Sequence, residues 1–128
     1  MCHTGRMAQF SPEDLRLLNG TDEVSIERRP GRGTTIWIVV ADGVAYIRSV
    51  RGAAGLWYQT VSGGSPARLV AGSAAWPIRV EAVSDPAQVE RVSEAIRTKY
   101  ERRWPGPTAA MLRPEVVSTT LRVEPVAQ

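Results

Sequence analysis

Turn signals stand close together along most of this sequence, so its strands are short and successive ones pair as hairpins. Asp42-Gly43 is the strongest, because both residues tolerate the positive backbone dihedrals of a two-residue hairpin turn. Gly63-Gly64 marks a second turn and Gly72-Ser73 a third. In Arg29-Pro30-Gly31-Arg32-Gly33, Pro presets one dihedral and Gly tolerates the others. Between these turns the apolar residues alternate. Val24 and Ile26 interleave with Glu23, Ser25 and Glu27, which is period two with one wet face. Thr34 to Ala41 is apolar on both parities and predicts a central strand covered on both sides. Val44 to Ser49 is the return strand, with Tyr46 and Arg48 on one face and Ile47 and Ser49 on the other. Arg68 to Ala71 and Trp76 to Val83 predict a further hairpin, and about Val116 to Val123 a last strand.

Two helices frame the strands. Ser11 caps a short one, with Pro12 at its first position, acids Glu13 and Asp14 at the positive end of its dipole, and Gly20 as a left-handed stop. The long one runs from about Pro86 to Arg103. Asp85 and Gln88 stand at capping-box spacing, Val89, Val92, Ile96 and Tyr100 form the apolar stripe, and Trp104-Pro105-Gly106-Pro107 stops it. The class is mainly β with helices (β or α+β). It predicts a small antiparallel barrel of about six strands, with a short N-terminal helix and one longer helix before the last strand. At 128 residues there is room for one domain, taken as 10–126 behind a flexible tail of residues 1–9.

The chain has one Cys, Cys2, and one His, His3, both in that tail. No intramolecular disulfide, Cys-based zinc site, Cys-His pair or Ser-His-Asp triad can be assembled from the folded body, and no metal is expected. Reactivity, if any, is borrowed from a bound cofactor. Met7 is an alternative start that would remove both residues. No segment approaches the length of a membrane span and the N-terminus lacks a secretory apolar stretch, so the expectation is a cytoplasmic protein with no membrane contact.

All but one of the 16 basic residues are Arg, Lys99 being the exception, and the net charge is +3 against 13 acids. Arg48-Ser49-Val50-Arg51-Gly52 is the most loaded segment. Two guanidinium forks, a hydroxyl and a Gly that bares backbone amides are parts that hold a phosphate or carboxylate. The competing reading is a solvated hairpin edge. Trp57 and Tyr58 stand five residues after Gly52, just past this loop, where they can wall a flat ligand; the competing reading has Trp57 packing as core. Trp37 is packing that could also touch a bound ring. Arg28, Arg29 and Arg32 form either a phosphate-facing cluster or a charged hairpin tip that keeps the edge soluble. No Walker loop, dinucleotide fingerprint or paired catalytic carboxylates are present. Nucleic acid is not the expected partner, because Arg and Glu interleave along the chain and Lys is nearly absent.

Thr34-Thr35-Ile36-Trp37, Asp42-Gly43, Tyr46, Arg48-Ser49, Gly52 and Trp57-Tyr58, in this order, resemble the DUF2255 family. That family lies within the flavin- and deazaflavin-binding split-barrel (pyridoxamine-phosphate-oxidase-like) superfamily. Lys99-Tyr100 and Ser118-Thr119-Thr120-Leu121-Arg122 add to the resemblance, which spans roughly Phe10 to Pro125. It implies a split barrel that forms a homodimer with FMN or the deazaflavin F420 between subunits. By position, Arg48, Ser49, Arg51 and Gly52 would meet the cofactor phosphate or its sugar chain. Thr34, Thr35 and Ile36 would lie along the ring, with Trp57 and Tyr58 closing the loop side. Two positions depart from the pattern: Arg51 stands with no Lys after the strand, and Thr35 replaces the usual Pro. The function expected is a flavin- or F420-dependent oxidoreductase acting on a small molecule, with no catalytic side chain assigned. Tyr46, Tyr58 and Tyr100 are unranked proton donors. The alternative is a non-catalytic split barrel that binds a ligand or partner.

Overall fold

The computed structural model describes residues 9–29 and 31–126. Pro30 and the tail up to Ala8, with Cys2, His3 and Met7, lie outside the described residues. Helix α1 (Pro12–Gly20) begins where its cap is written, the Ser11 hydroxyl accepting from the Asp14 amide at 3.0 Å. Gly20 is not a left-handed stop; it is the last helical residue, and the extended Thr21 follows it.

Seven strands form one antiparallel sheet, one more than expected: β1 (Val24–Arg29), β2 (Arg32–Ile36), β3 (Val39–Ala41), β4 (Val44–Ile47), β5 (Ala67–Ala71), β6 (Ala74–Ala82) and β7 (Leu121–Pro125). Their order is β2-β1-β5-β6-β7-β4-β3. The two edge strands, β2 and β3, are therefore consecutive in the chain, joined by Trp37 and Ile38 alone. Six inter-strand gaps in a flat sheet would separate the edges by about 29 Å. Three peptide links between Ile36 and Val39 span at most about 11 Å. The sheet must curl until its edges meet, which makes it a split barrel.

This overturns the single central strand expected over Thr34–Ala41. The apolar run changes edge at Trp37-Ile38, so its residues face different surroundings before and after the crossing, and Thr34 and Thr35 are exposed. The strand covered on both sides is β4. Ala45 and Ile47 enter the barrel core with Leu18, Ile26, Ile38, Leu69 and Leu121. Tyr46 enters a second core with Val92, Ile96, Tyr100, Met111 and Val116.

The long helix α3 (Pro86–Tyr100) has the expected cap, Asp85 accepting from the Gln88 amide at 2.9 Å. It ends three residues earlier than expected. The Pro-rich stop instead opens α4 (Pro105–Met111), because a Pro is preorganised for a first helical turn as well as being unable to continue one. A single turn, α5 (Pro114–Val117), then replaces the start of the expected last strand, and β7 begins at Leu121. The Thr119 and Thr120 hydroxyls each donate to a carbonyl three residues back at 2.6 Å, holding that turn against extension. No helix among the described residues is long and apolar enough to cross a membrane.

The end of α3 pins the barrel seam. The Lys99 ammonium donates to the Ile38 carbonyl at 2.7 Å and to the Leu18 carbonyl of α1 at 3.0 Å. The Tyr100 hydroxyl accepts from the Ile38 amide at 3.3 Å and lies 2.7 Å from the Asp22 carbonyl. These bonds satisfy backbone groups that the edge crossing leaves without a strand partner. Burial pushes the Lys99 amine down to about 8 from its ordinary 10.5, and raises the Tyr100 hydroxyl. Between pH 8 and 10 the unfolded chain binds more protons at Lys99 than the folded one, so folding stability rises with pH there. Tyr100 in the folded chain titrates above this window, and Arg48, pushed down to about 10, adds to the rise only at its upper end. The urea midpoint is expected to climb from pH 8 to pH 10, and Lys99→Met to flatten that climb. A Lys99→Met midpoint that climbs as steeply would remove Lys99 as the cause.

Candidate functional site

A cavity of about 710 Å³ opens between the exposed face of β2, the segment from Arg48 to Trp57, and α4. Its size lies within the range of small-molecule and cofactor pockets. Seven of the nine residues singled out from the sequence line it: Thr34, Thr35, Ile36, Arg48, Ser49, Arg51 and Trp57. Gly52 and Tyr58 do not. Trp57 and Tyr58, just past the loop, sit on a short helix that the sequence reading did not include, α2 (Leu56–Ser62). Leu56–Ser62 contains no Gly or Pro, and Thr60 and Ser62 bond back to carbonyls four residues earlier. Trp57 is both core and cavity wall, 6% exposed, and Tyr58 backs it edge-on at 6.0 Å.

Arg48 is fully buried at the site, 1% exposed, as is its neighbour Ser49. Its Nε donates to Thr120 Oγ1 at 2.8 Å and its Nη1 to the Met111 carbonyl at 3.2 Å. Nη2 donates to the Val89 carbonyl at 3.1 Å and Ser93 Oγ at 2.9 Å. Four N–H groups are thus spent on two helices, α3 and α4, and on Thr120 just before β7. No carboxylate lies within ion-pair distance of it among the described residues, and burial pushes the group down to about 10. The cavity is therefore lined by a buried cation that has no ion-pair partner among the described residues, Glu90 acting on it only from beyond contact distance.

Ser49 shapes the turn that follows. Its hydroxyl donates to the Gly52 carbonyl at 2.8 Å and its amide donates to Thr119 Oγ1 at 2.9 Å. Gly52 has φ +66°, and a Cβ there would stand 3.2 Å from the Glu115 carbonyl oxygen. Gly55 is equally fixed, since its Cβ would lie 2.5 Å from Ser49 Oγ. Gly52→Ala is expected to cost about 1–2 kcal/mol, read as a lower urea midpoint, through left-handed strain and that close approach. The compact turn carries Arg51 to the cavity, exposed and without a bonding partner among the described residues. Arg28 joins it on the cavity rim, held only by a 3.4 Å contact to Thr60 Oγ1.

At the aromatic end of the cavity, sequence reasoning named Trp37 as able to touch a bound ring and missed Trp104, Asp22 and Glu23. Trp37 stacks on Tyr100 with centroids 3.8 Å apart, and Trp104 tilts against both. Asp22 takes a bidentate pair from Arg103 at 2.6 and 2.9 Å, which holds its carboxyl below the usual range. The same guanidinium lies 4.4 Å over the Trp104 ring. Trp37, Trp104, Asp22 and Glu23 all line the cavity. The signal available was Trp104 beside a helix-breaking run, which reads as a stop and not as a wall.

Residues 14–123 match the model of a family described as an uncharacterized protein conserved in bacteria, DUF2255. No curated protein matches the chain. Among solved structures, a conserved hypothetical protein from Mycobacterium tuberculosis, Rv2991, aligns with TM-score 0.59 at 15% identity, over 99% of this chain and 86% of that one. An FAD and heme binding protein from Mycobacterium smegmatis aligns with TM-score 0.51 at 19% identity, over 91% and 67%. The flavocytochrome Anf3 from Azotobacter vinelandii aligns with TM-score 0.52 at 18% identity, over 94% and 66%. At these identities the likeness is one of fold.

Proposed function

This chain belongs to the DUF2255 family, and from that premise we propose that it is a split-barrel protein binding a flavin or deazaflavin, FMN or F420, as the cofactor of a small-molecule oxidoreductase. Its main support is the cavity lining, where the Arg48 guanidinium is buried without an ion-pair partner among the described residues, a partner that an anionic ligand would supply. The residues present fit such a group. Arg51 and Arg28 offer uncommitted guanidinium donors for a phosphate, and Arg48 favours the same charge from beneath. Thr34, Thr35 and Ile36 lie on an edge strand, so alternate backbone N–H and C=O groups point away from β1 and are available to a flat polar ring. Trp57 walls the ring, Tyr58 backs Trp57, and Ser49 with Gly52 sets the turn.

A flavin bound there would supply hydride transfer, while the chain binds its phosphate, orients its ring and excludes water. The fold likeness to two flavin proteins is consistent with this reading. Val50 and Leu56 line the cavity at 56% and 71% exposure, and a second copy of the chain would cover them in a homodimer. The test is titration of the full chain with FMN and F420, followed by cofactor fluorescence and retention through gel filtration. Micromolar binding of one of them supports the proposal. Binding of neither overturns it and favours the non-catalytic reading.

A further inference from the structure

We infer that the aromatic end of the cavity, formed by Trp37, Trp104 and Glu23, is a subsite for an organic ammonium ion. Two indole rings converge there, and an electron-rich ring face attracts a cation within about 6 Å. One such contact is already made internally, since Arg103 lies 4.4 Å over Trp104. That guanidinium is neutralised by its bidentate pair with Asp22. Lys99, the other cation nearby, is spent on the Leu18 and Ile38 carbonyls. Glu23 is left over. Its carboxylate lines the cavity and has no ion-pair or hydrogen-bond partner among the described residues.

The geometry leaves ring surface for a ligand. Tyr100 covers one face of Trp37, and Trp104 remains 36% exposed despite Arg103. The free guanidinium groups of Arg28 and Arg51 line the same cavity, and Arg28 stands five residues along the chain from Glu23, about 16 Å where extended. The cavity therefore offers uncommitted guanidinium donors at Arg28 and Arg51 and, at Glu23, an unpaired carboxylate beside indole rings. As a subsite for the substrate of the proposed oxidoreductase this rests on the flavin reading, and as a cation site it does not.

The experiment uses the full chain without flavin. Choline is titrated against its neutral isostere, in which carbon replaces nitrogen, and binding is read from tryptophan fluorescence and indole N–H shifts. The expected result is a preference for the cation of about tenfold, falling about threefold to tenfold in Glu23→Gln and in Trp104→Leu. Circular dichroism confirms that each variant is folded, and the exposed Glu23 makes its variant a safe one. Equal affinity for both probes, no binding of choline, or an unchanged preference in Glu23→Gln would overturn the inference. FMN titration of the same unmodified protein reports separately on the flavin reading, so the two can fail independently.

Discussion

Arg48→Ala is expected to cost about 3–5 kcal/mol of folding stability, a large share of the roughly 5–15 kcal/mol that holds a domain together. The residue is 1% exposed and donates four hydrogen bonds at 2.8–3.2 Å to Thr120, Met111, Val89 and Ser93. Truncation leaves those acceptors dry, at about 1–3 kcal/mol for each that finds no substitute, and opens a void among closely packed helices. The loss is held below the sum because the Thr120 hydroxyl retains its own bond to Val117, and because removing a buried unpaired charge is itself favourable. Arg48→Gln separates these effects. It keeps an amide donor without the charge and is expected to lie between wild type and Arg48→Ala in urea unfolding. An Arg48→Ala midpoint within experimental error of wild type would refute the strut. The same burial makes Arg48→Ala a poor probe of ligand binding, since a lost ligand would be inseparable from a loosened fold.

The local signals that held were those with a single physical reading. Ser11 and Asp85 cap helices because a short oxygen-bearing side chain before a helical run has little else to bond. Asp42-Gly43 turns the chain because its dihedrals suit few other residues: Asp42 has φ 51° and Gly43 φ 75°. Tyr46 and Arg48 share a face because a strand alternates, and both do reach α3. Errors arose where one pattern had two causes. Thr34–Ala41 is apolar on both parities either in a central strand or where a chain changes edge, and only the closure of the sheet decides between them. Trp104-Pro105 reads as a stop or as the start of another helix, and the packing of α4 over the cavity selects the second. The cavity's basic lining was half legible. Spacing brought Arg48 and Arg51 to one cavity, but it could not show that Arg48 is spent on the fold or that Arg28, assigned to a hairpin tip, stands on the same rim.

That division of labour makes Arg51 and Arg28 the decisive pair for the cofactor. Arg28→Ala together with Arg51→Ala is expected to weaken FMN binding by about 100-fold or more while leaving riboflavin binding nearly unchanged. Each uncommitted guanidinium can make charge-assisted bonds to a phosphate worth about 1.5–3 kcal/mol, and about 1.4 kcal/mol is tenfold in affinity. Riboflavin has the ring and no phosphate, so it meets Thr34, Thr35, Ile36 and Trp57 without engaging either arginine. Both arginines are exposed and neither anchors the fold, Arg28 making a single 3.4 Å contact and Arg51 none among the described residues. The double variant should therefore unfold at the same urea concentration as the wild type within about 1 kcal/mol, which Arg48 variants cannot offer. Salt gives an independent check. Wild-type affinity for FMN should fall as ionic strength rises, and the double variant should lose most of that dependence. Equal losses for FMN and riboflavin would mean that the arginines shape the cavity and do not read the phosphate. Unchanged FMN affinity would return Arg51 to a solvated hairpin edge and Arg28 to a charged strand tip.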